Sequence, residues 1–321
     1  MSNEVWREFW SGGEGAEQAI GGAHRGRLTD FWREFFCENL KAAPDGALIA
    51  DIASGAGAAL AVAADAAGEL AARRFRLAAF DISGAAVRSS LQRAQGSIGA
   101  VADGALLPLA DRSLAIAVSQ FGVEYAGRPA FAEIARCLAP AGVFSALSHY
   151  SGGAIDAECA CNEALLDRIA AMGIFNAADA ALKETYRRRR LGRGDLADPA
   201  AERKLKRVQQ QAAAAVAAAP PSAAKQMFAR LLGDLGGLAA RRLAYADGDA
   251  LGWLAGMEAS TSAYRGRMRS MRAAALDARG LAVIGEIFRN AGFAEFSAAP
   301  LALVADAAPA AWVINARASR D

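Results

Sequence analysis

The chain predicts an α/β fold: a mostly parallel sheet that alternates with helices, interrupted by one large all-helical insertion. Three observations carry this. Short apolar runs ending near Asp51, Asp81, Val101, Gln120 and Ser148 alternate with helical stretches, the pattern of parallel strands joined by right-handed crossovers. From Ile155 to about Arg279 no strand pattern occurs, only alanine-rich helical sequence broken by glycine and proline, too long a stretch to be a loop. A final helix at Leu281–Asn290 then leads through Gly292 into two more strand-like runs, Ala294–Ala299 and Ala311–Ala316.

The elements follow in order. Glu4–Leu40 is amphipathic and rich in aromatic residues, with breaks at Ser11–Gly15 and Gly21–Gly22; residues 1–43 are expected to form an N-terminal helical lid. Pro44-Asp45-Gly46 makes a turn, and residues 44–150 form the core. The first strand, within ALIADIASGAG, ends on Asp51 and breaks into a turn carrying Gly55 and Gly57. Those glycines let the backbone approach a ligand, and the next helix points its free N–H groups at it. Asp81 ends the second strand, where an open α/β sheet places a carboxylate to grip a ribose diol. Together they specify a cofactor bearing a nucleoside. Leu60 stands where a dinucleotide fingerprint needs its third glycine, and no lysine follows the glycines as a P-loop requires.

The spacing Asp51-x-x-x-Gly55-x-Gly57 resembles the first motif of class I S-adenosylmethionine-dependent methyltransferases, with Ala53 where many members carry glycine. Ala102-Asp103-Gly104 is similar to the family's adenine-binding aspartate. Leu107–Ala126 looks like the LPF-D-xSFD segment, with Ala115 replacing an aspartate. Phe131–Ser148 resembles the helix, turn and fifth strand, with Ala139 and Ala141 at two usual positions. The last 42 residues, 280–321, resemble the family's closing helix and antiparallel hairpin. The resemblance implies a seven-stranded Rossmann-like sheet of the small-molecule branch and S-adenosylmethionine as cofactor. It places Asp51, Ala53, Ser54, Gly55 and Gly57 on the methionine part, Asp81 on the ribose and Ile82 on the adenine face. Asp103 and Gly104 meet the adenine amino group, and Ser119, Gln120 and Phe121 lie beneath the sulfonium.

A methyl on a sulfonium needs no activation, so the site's task is to orient an acceptor and, where the acceptor starts protonated, to offer a base. His149 and Tyr150 follow the fifth strand at the rim. His149 is the first candidate base, set against a histidine that only braces a carbonyl; His24 is the second, set against an exposed loop residue. Glu124 and Tyr125 are candidates to line the substrate or contact the sulfonium, and Tyr150 to line the substrate; as residues of a helix start, the first two would do neither.

Hydrophobic residues make up 54% of 321 residues, enough for a sizeable core. The opening ten residues are mixed and charged and no apolar run reaches bilayer length, so a cytoplasmic protein without a membrane span is expected. Cys37, Cys137, Cys159 and Cys161 lack zinc-ligand spacing, and no metal is expected. Lys183–Arg279 holds 19 Lys and Arg against 9 Asp and Glu, a formal +10 within a chain of net +2. Either the segment's charges solvate a face of a 151–279 insertion that serves as acceptor lid or oligomer contact, as in a homodimer, or they receive an acidic partner. Basic residues here lack the interleaved aromatics that stack bases, and Ser119-Gln120-Phe121-Gly122 is unlike the motif of nucleic-acid amino-methyltransferases. The reading is methyl transfer to oxygen, nitrogen or carbon of a small-molecule or carrier-bound acceptor. The alternatives are a macromolecular acceptor bound by the basic insertion, or a silent cofactor-binding scaffold.

Overall fold

A computed structural model describes residues 2–11, 24–70, 73–192, 199–305 and 307–320, which group into two compact units, residues 1–156 with 270–321 and residues 157–269. The first unit holds a seven-stranded sheet in the order β3-β2-β1-β4-β5-β7-β6. Its strands are β1 (Leu48–Ile52), β2 (Arg76–Asp81), β3 (Ile98–Val101), β4 (Leu114–Gln120), β5 (Leu138–His149), β6 (Phe293–Leu301) and β7 (Ala311–Ala318). β1 to β5 pair in parallel, whereas β7 runs antiparallel to both β5 and β6. The expected mostly parallel sheet with its closing hairpin is therefore present. The reversal of strand order beside β1 opens a crevice at the carboxyl ends of β1 and β4, the position at which such sheets bind ligands.

Every residue of β1 is buried, as a central strand covered on both faces requires. One face is covered by α2 (Arg25–Ala42) and α3 (Ala58–Glu69). Leu28, Trp32, Phe36 and Leu40 recur every fourth residue and are all buried, so α2 presents a single apolar stripe to Ile49, Leu60 and Val118. This helix belongs to the core and is not simply a lid. On the opposite face α6 (Arg128–Cys137) and α12 (Ala278–Asn290) bring Phe131 and Phe288 against Phe144 of β5, with ring centroids 6.1 and 5.6 Å away. Burial of side chains this size stabilises by roughly 1.5–3 kcal/mol each. α4 (Gly84–Arg93) follows β2; Ser83 caps it by accepting from the Ala86 N–H.

The second unit is helical: the greater part of α7 (Ala154–Met172), α8 (Ile174–Arg190), α9 (Pro199–Ala218), α10 (Ala223–Ala240) and most of α11 (Asp247–Ala274). It is shorter at both ends than the 151–279 expected. Buried Asn162 accepts from the Ala224 N–H at 2.9 Å, and Tyr186 donates its hydroxyl to the Arg242 carbonyl. Its charge excess is partly answered within the unit. Arg187 pairs with Glu184, Arg190 with Asp247, Arg242 with Glu202 and Arg269 with Glu163 and Asp167. Exposed pairs of this kind add only about 0–1 kcal/mol each; their consequence here is that the arginine runs are not a bare cationic surface. No helix among the described residues is long and apolar enough to cross a membrane.

Gly57 shows how the sheet and helices close on one another. It enters α3 at φ +75°, and a Cβ there would stand 2.7 Å from the Ser90 Cα of α4. Both the left-handed backbone and the close approach exclude a side chain. Gly57→Ala is expected to lower unfolding free energy by about 2–4 kcal/mol, measured by urea titration.

Candidate active site

The crevice is a cavity of about 300 Å³. Its floor is made where the β1 and β4 tips meet. Ser119 is fully buried; its Oγ donates to the Ile52 carbonyl at 2.7 Å and accepts from the Val123 N–H at 3.0 Å. Both strands then turn through left-handed residues that are not glycine, Ala53 at φ 54° and Phe121 at φ 52°. Strain of this kind persists only where the surroundings over-determine it. Here the cause is Gly122, where a Cβ would lie 2.6 Å from the Ala53 carbonyl oxygen. The two tips fit together only with nothing at that position.

From this joint the wall builds outward in sheet order. At the β2 tip, Asp81 Oδ2 accepts from the Gly55 N–H at 2.9 Å and Oδ1 from the Ser83 N–H at 2.8 Å. Burial pushes its carboxyl above the usual range, and those two N–H groups oppose the rise. Each oxygen keeps a lone pair for a ligand hydroxyl. Ser54 lines the cavity, and its buried Oγ has no partner among the described residues. Beyond β2, Ala102, Asp103 and Gly104 complete that end. At the β4 and β5 tips stand Gln120, Phe121, Tyr125 and His149. Gln120 is fixed from below, its Oε1 accepting from Trp32 Nε1 at 2.7 Å.

His149 is buried, and its Nδ1 lies 2.7 Å from Glu124 Oε1, which also accepts the His149 main-chain N–H at 3.0 Å. An oxygen already accepting from the backbone accepts from the ring as well, so Nδ1 carries the hydrogen and Nε2 is the basic nitrogen left for the cavity. The Phe121 and Tyr125 rings sit 4.8 and 5.8 Å from the imidazole. α1 (Ser2–Ser11) closes the aromatic wall. Trp6 meets Tyr125 at 4.9 Å, Trp10 presses on Gly55 so closely that a Cβ there would come within 2.7 Å of it, and Arg7 donates to the Ile82 carbonyl.

Of the expected residues, Ala53, Ser54, Gly55, Asp81, Ile82, Asp103, Gly104, Gln120, Phe121, Tyr125, His24 and His149 share this one cavity. Five stand elsewhere. Asp51, 1% exposed, is turned beneath the loop toward the Leu60 N–H; Gly57 is a packing glycine; Ser119 braces the floor. Glu124 lies behind His149 and not on the wall. Tyr150 leaves the rim altogether, stacked on Trp312 at 4.4 Å, because β5 pairs with β7 up to His149 and carries the next residue past the crevice. Trp6, Trp10, Leu28, Ile155, Met271 and Leu303 also line the cavity and were not anticipated. For Trp6 and Trp10 a signal existed: two tryptophans four residues apart on one amphipathic helix.

A family model for the methyltransferase domain matches residues 50–146. Residues 50–146 form a methyltransferase domain. Its sheet order and antiparallel end are those of the class I type that the sequence resembles, for which S-adenosylmethionine is the expected cofactor. No curated protein matches the chain. Among solved structures, a chain of the Haloferax volcanii complex containing the Trm112 methyltransferase activator is 23% identical over 43% of this chain and 61% of its own, with a TM-score of 0.33. Geranyl diphosphate C-methyltransferase from Streptomyces coelicolor is 16% identical over 42% and 50%, TM-score 0.32. A Bordetella parapertussis protein is 12% identical over 92% and 68%, TM-score 0.44. The chain thus spans about half to three fifths of the first two.

The cavity suits that cofactor on its own chemistry. Among the described lining residues there is no lysine or arginine, while Asp81 and Asp103 are carboxylates. That disfavours a pyrophosphate and favours a ligand with positive charge and free hydroxyls.

Asp51 yields a prediction on pH. Complete burial, with a smaller push from Asp81, raises its carboxyl from 3.8 to about 8, against the Leu60 N–H, which lowers it. A raised folded-state value means the folded protein holds the extra proton, so this contribution is full below pH 4 and is lost as pH rises toward 8. Asp51→Asn, which cannot ionise, should therefore gain on the parent as pH rises. Between pH 5.5 and 8.5 its melting temperature is expected to improve relative to the parent by about 5 °C, read by calorimetry without ligand.

Proposed function

We propose that the chain is an enzyme that transfers a methyl group from S-adenosylmethionine to a nucleophile of a small-molecule or carrier-bound acceptor. The observation that carries this is the cavity's polarity: carboxylates with no lysine or arginine among the described lining residues at the β2 and β3 tips, and an aromatic wall with a histidine at the β4 and β5 tips. Bound there, S-adenosylmethionine supplies a methyl on a sulfonium, an already activated leaving group.

The protein's own residues supply place and dryness. Asp81, held by the Gly55 and Ser83 N–H groups, receives the ribose hydroxyls. Ile82 and Asp103 receive the adenine, and the Ala53–Gly55 turn, with the unpartnered Ser54 hydroxyl, receives the methionine end. Bound in that way, the cofactor would leave the β4 and β5 tips to the acceptor. Trp6, Phe121 and Tyr125 exclude water and hold the acceptor in line, an effect worth up to ~7–11 kcal/mol. A macromolecular acceptor draws less support, since the arginine runs of the helical unit are partly ion-paired within it.

Asp81→Asn removes the charge and keeps one acceptor oxygen of two, so that one of the Gly55 and Ser83 N–H groups loses its partner. Calorimetric titration with adenosylhomocysteine is expected to show binding weakened at least tenfold, on the order of 1.5–3 kcal/mol for a hydrogen bond to a charged group. Unchanged binding would overturn the ribose assignment.

A further inference from the structure

The two ends of the cavity differ in a way that identifies what it accepts. In sheet order, Asp103 and Asp81 stand at the β3 and β2 tips, Ala53 at β1, Phe121 at β4 and His149 at β5. Strands spaced by about 4.8 Å put the β5 tip roughly 14 Å from the β2 tip, so His149 lies on the far side of the transferring methyl from the ribose. At that end the described wall holds no lysine, arginine, aspartate or glutamate; Trp6, Phe121, Tyr125, Met271 and Leu303 make most of it. An anionic acceptor would meet no counter-charge there, and a cationic one would find ring faces but no carboxylate on the described wall to pair with, Glu124 being buried behind the imidazole.

What that end does present is a base with a fixed tautomer. Glu124 holds Nδ1–H and leaves Nε2 to the cavity. A base is of use only to an acceptor that arrives protonated. We propose that the acceptor is an uncharged, largely apolar molecule with an aromatic hydroxyl, that His149 is its general base, and that Glu124 is the positioning residue for His149. This rests on the proposed methyl transfer. The hydroxyl oxygen bonds to the methyl carbon as the S–CH3 bond breaks, and that bond's electron pair stays on sulfur. The hydroxyl proton passes to His149 Nε2 and then to solvent, so the products are a methyl ether, adenosylhomocysteine and one proton. The developing imidazolium is stabilised by the Glu124 carboxylate 2.7 Å away.

An isosteric series tests the acceptor class on the full chain saturated with adenosylhomocysteine: 2-naphthol, 2-naphthoate, 2-naphthylmethylamine and naphthalene, titrated by calorimetry and by quenching of tryptophan emission. Expected is binding of 2-naphthol at least tenfold tighter than the other three. Preference for the anion or the cation, or no preference for the hydroxyl, overturns the acceptor class. Failure of adenosylhomocysteine itself to bind overturns the methyltransferase reading instead, so the two failures are separable.

The base is tested with His149→Asn, whose amide can still donate to Glu124. With 2-naphthol as acceptor, kcat is expected to fall by about 10²–10⁴-fold. With 4-nitro-1-naphthol, whose hydroxyl is ionised at neutral pH, the loss should be under tenfold, and equal losses on both acceptors overturn the base. Glu124→Gln should lower kcat on 2-naphthol at least tenfold while KM and adenosylhomocysteine binding stay within about twofold. A matching rise in KM would mean that Glu124 only shapes the wall.

Discussion

The meeting of the β1 and β4 tips is the constraint on which the rest of the site depends. Two parallel neighbours in a sheet must each turn away into a helix, and here they turn at the same level. Gly122 lets the Ala53 carbonyl approach to a distance that a Cβ would block, and the Ser119 hydroxyl ties the Ile52 carbonyl to the Val123 N–H. The cost is two non-glycine residues in left-handed backbone, Ala53 and Phe121, on the order of 1–3 kcal/mol each. That strain sits at the cavity floor; the other two such residues among those described, Arg112 and Ala141, lie near the starts of β4 and β5, away from the crevice. Ala53 and Phe121 are thereby aimed into the crevice on either side of the point where a transferring group would lie.

Polarity is then sorted by strand. Moving from β3 to β5 the wall passes from carboxylates, through bare backbone, to rings and an imidazole. Sheet order alone produces this gradient, because each strand tip contributes one short segment. It also explains why Glu124 is useful while hidden. Placed on the wall, a carboxylate would have to be desolvated by any apolar ligand; placed behind His149, it holds the ring and leaves that part of the wall uncharged.

Much of this was legible in the sequence because strand ends are punctuated. Asp51, Asp81 and the Asp103-Gly104 pair each follow an apolar run, so their level in the sheet could be read from the runs alone. The order of the strands and the antiparallel hairpin came with the family resemblance, not with periodicity. What could not be read was direction. Glu124 and Tyr125 are adjacent, yet one is turned behind His149 and the other into the cavity, a choice made by the short helix Val123–Ala126. Tyr150 follows His149 directly but leaves the crevice, because β5 pairs with β7 up to His149. Gly57 and Gly55 look alike in sequence; only the fold shows that one packs against Ser90 and the other against Trp10. Leu303 and Met271 reach the wall from more than a hundred residues away, beyond any local signal.

Asp51 ties stability to ligand. Its buried Oδ1 has no hydrogen-bond partner among the described residues, and Asp81 adds to the pressure against ionisation. Two buried carboxyls without a buried cation are poor structure if stability alone is considered, since unpaired buried charge is costly. The arrangement makes sense when a positively charged ligand belongs to the crevice. Its charge would favour the ionised forms of both groups, so protons would leave the protein as it binds. By the same linkage, a ligand that prefers the ionised site is held more tightly as pH rises, over the range in which the empty protein loses stability.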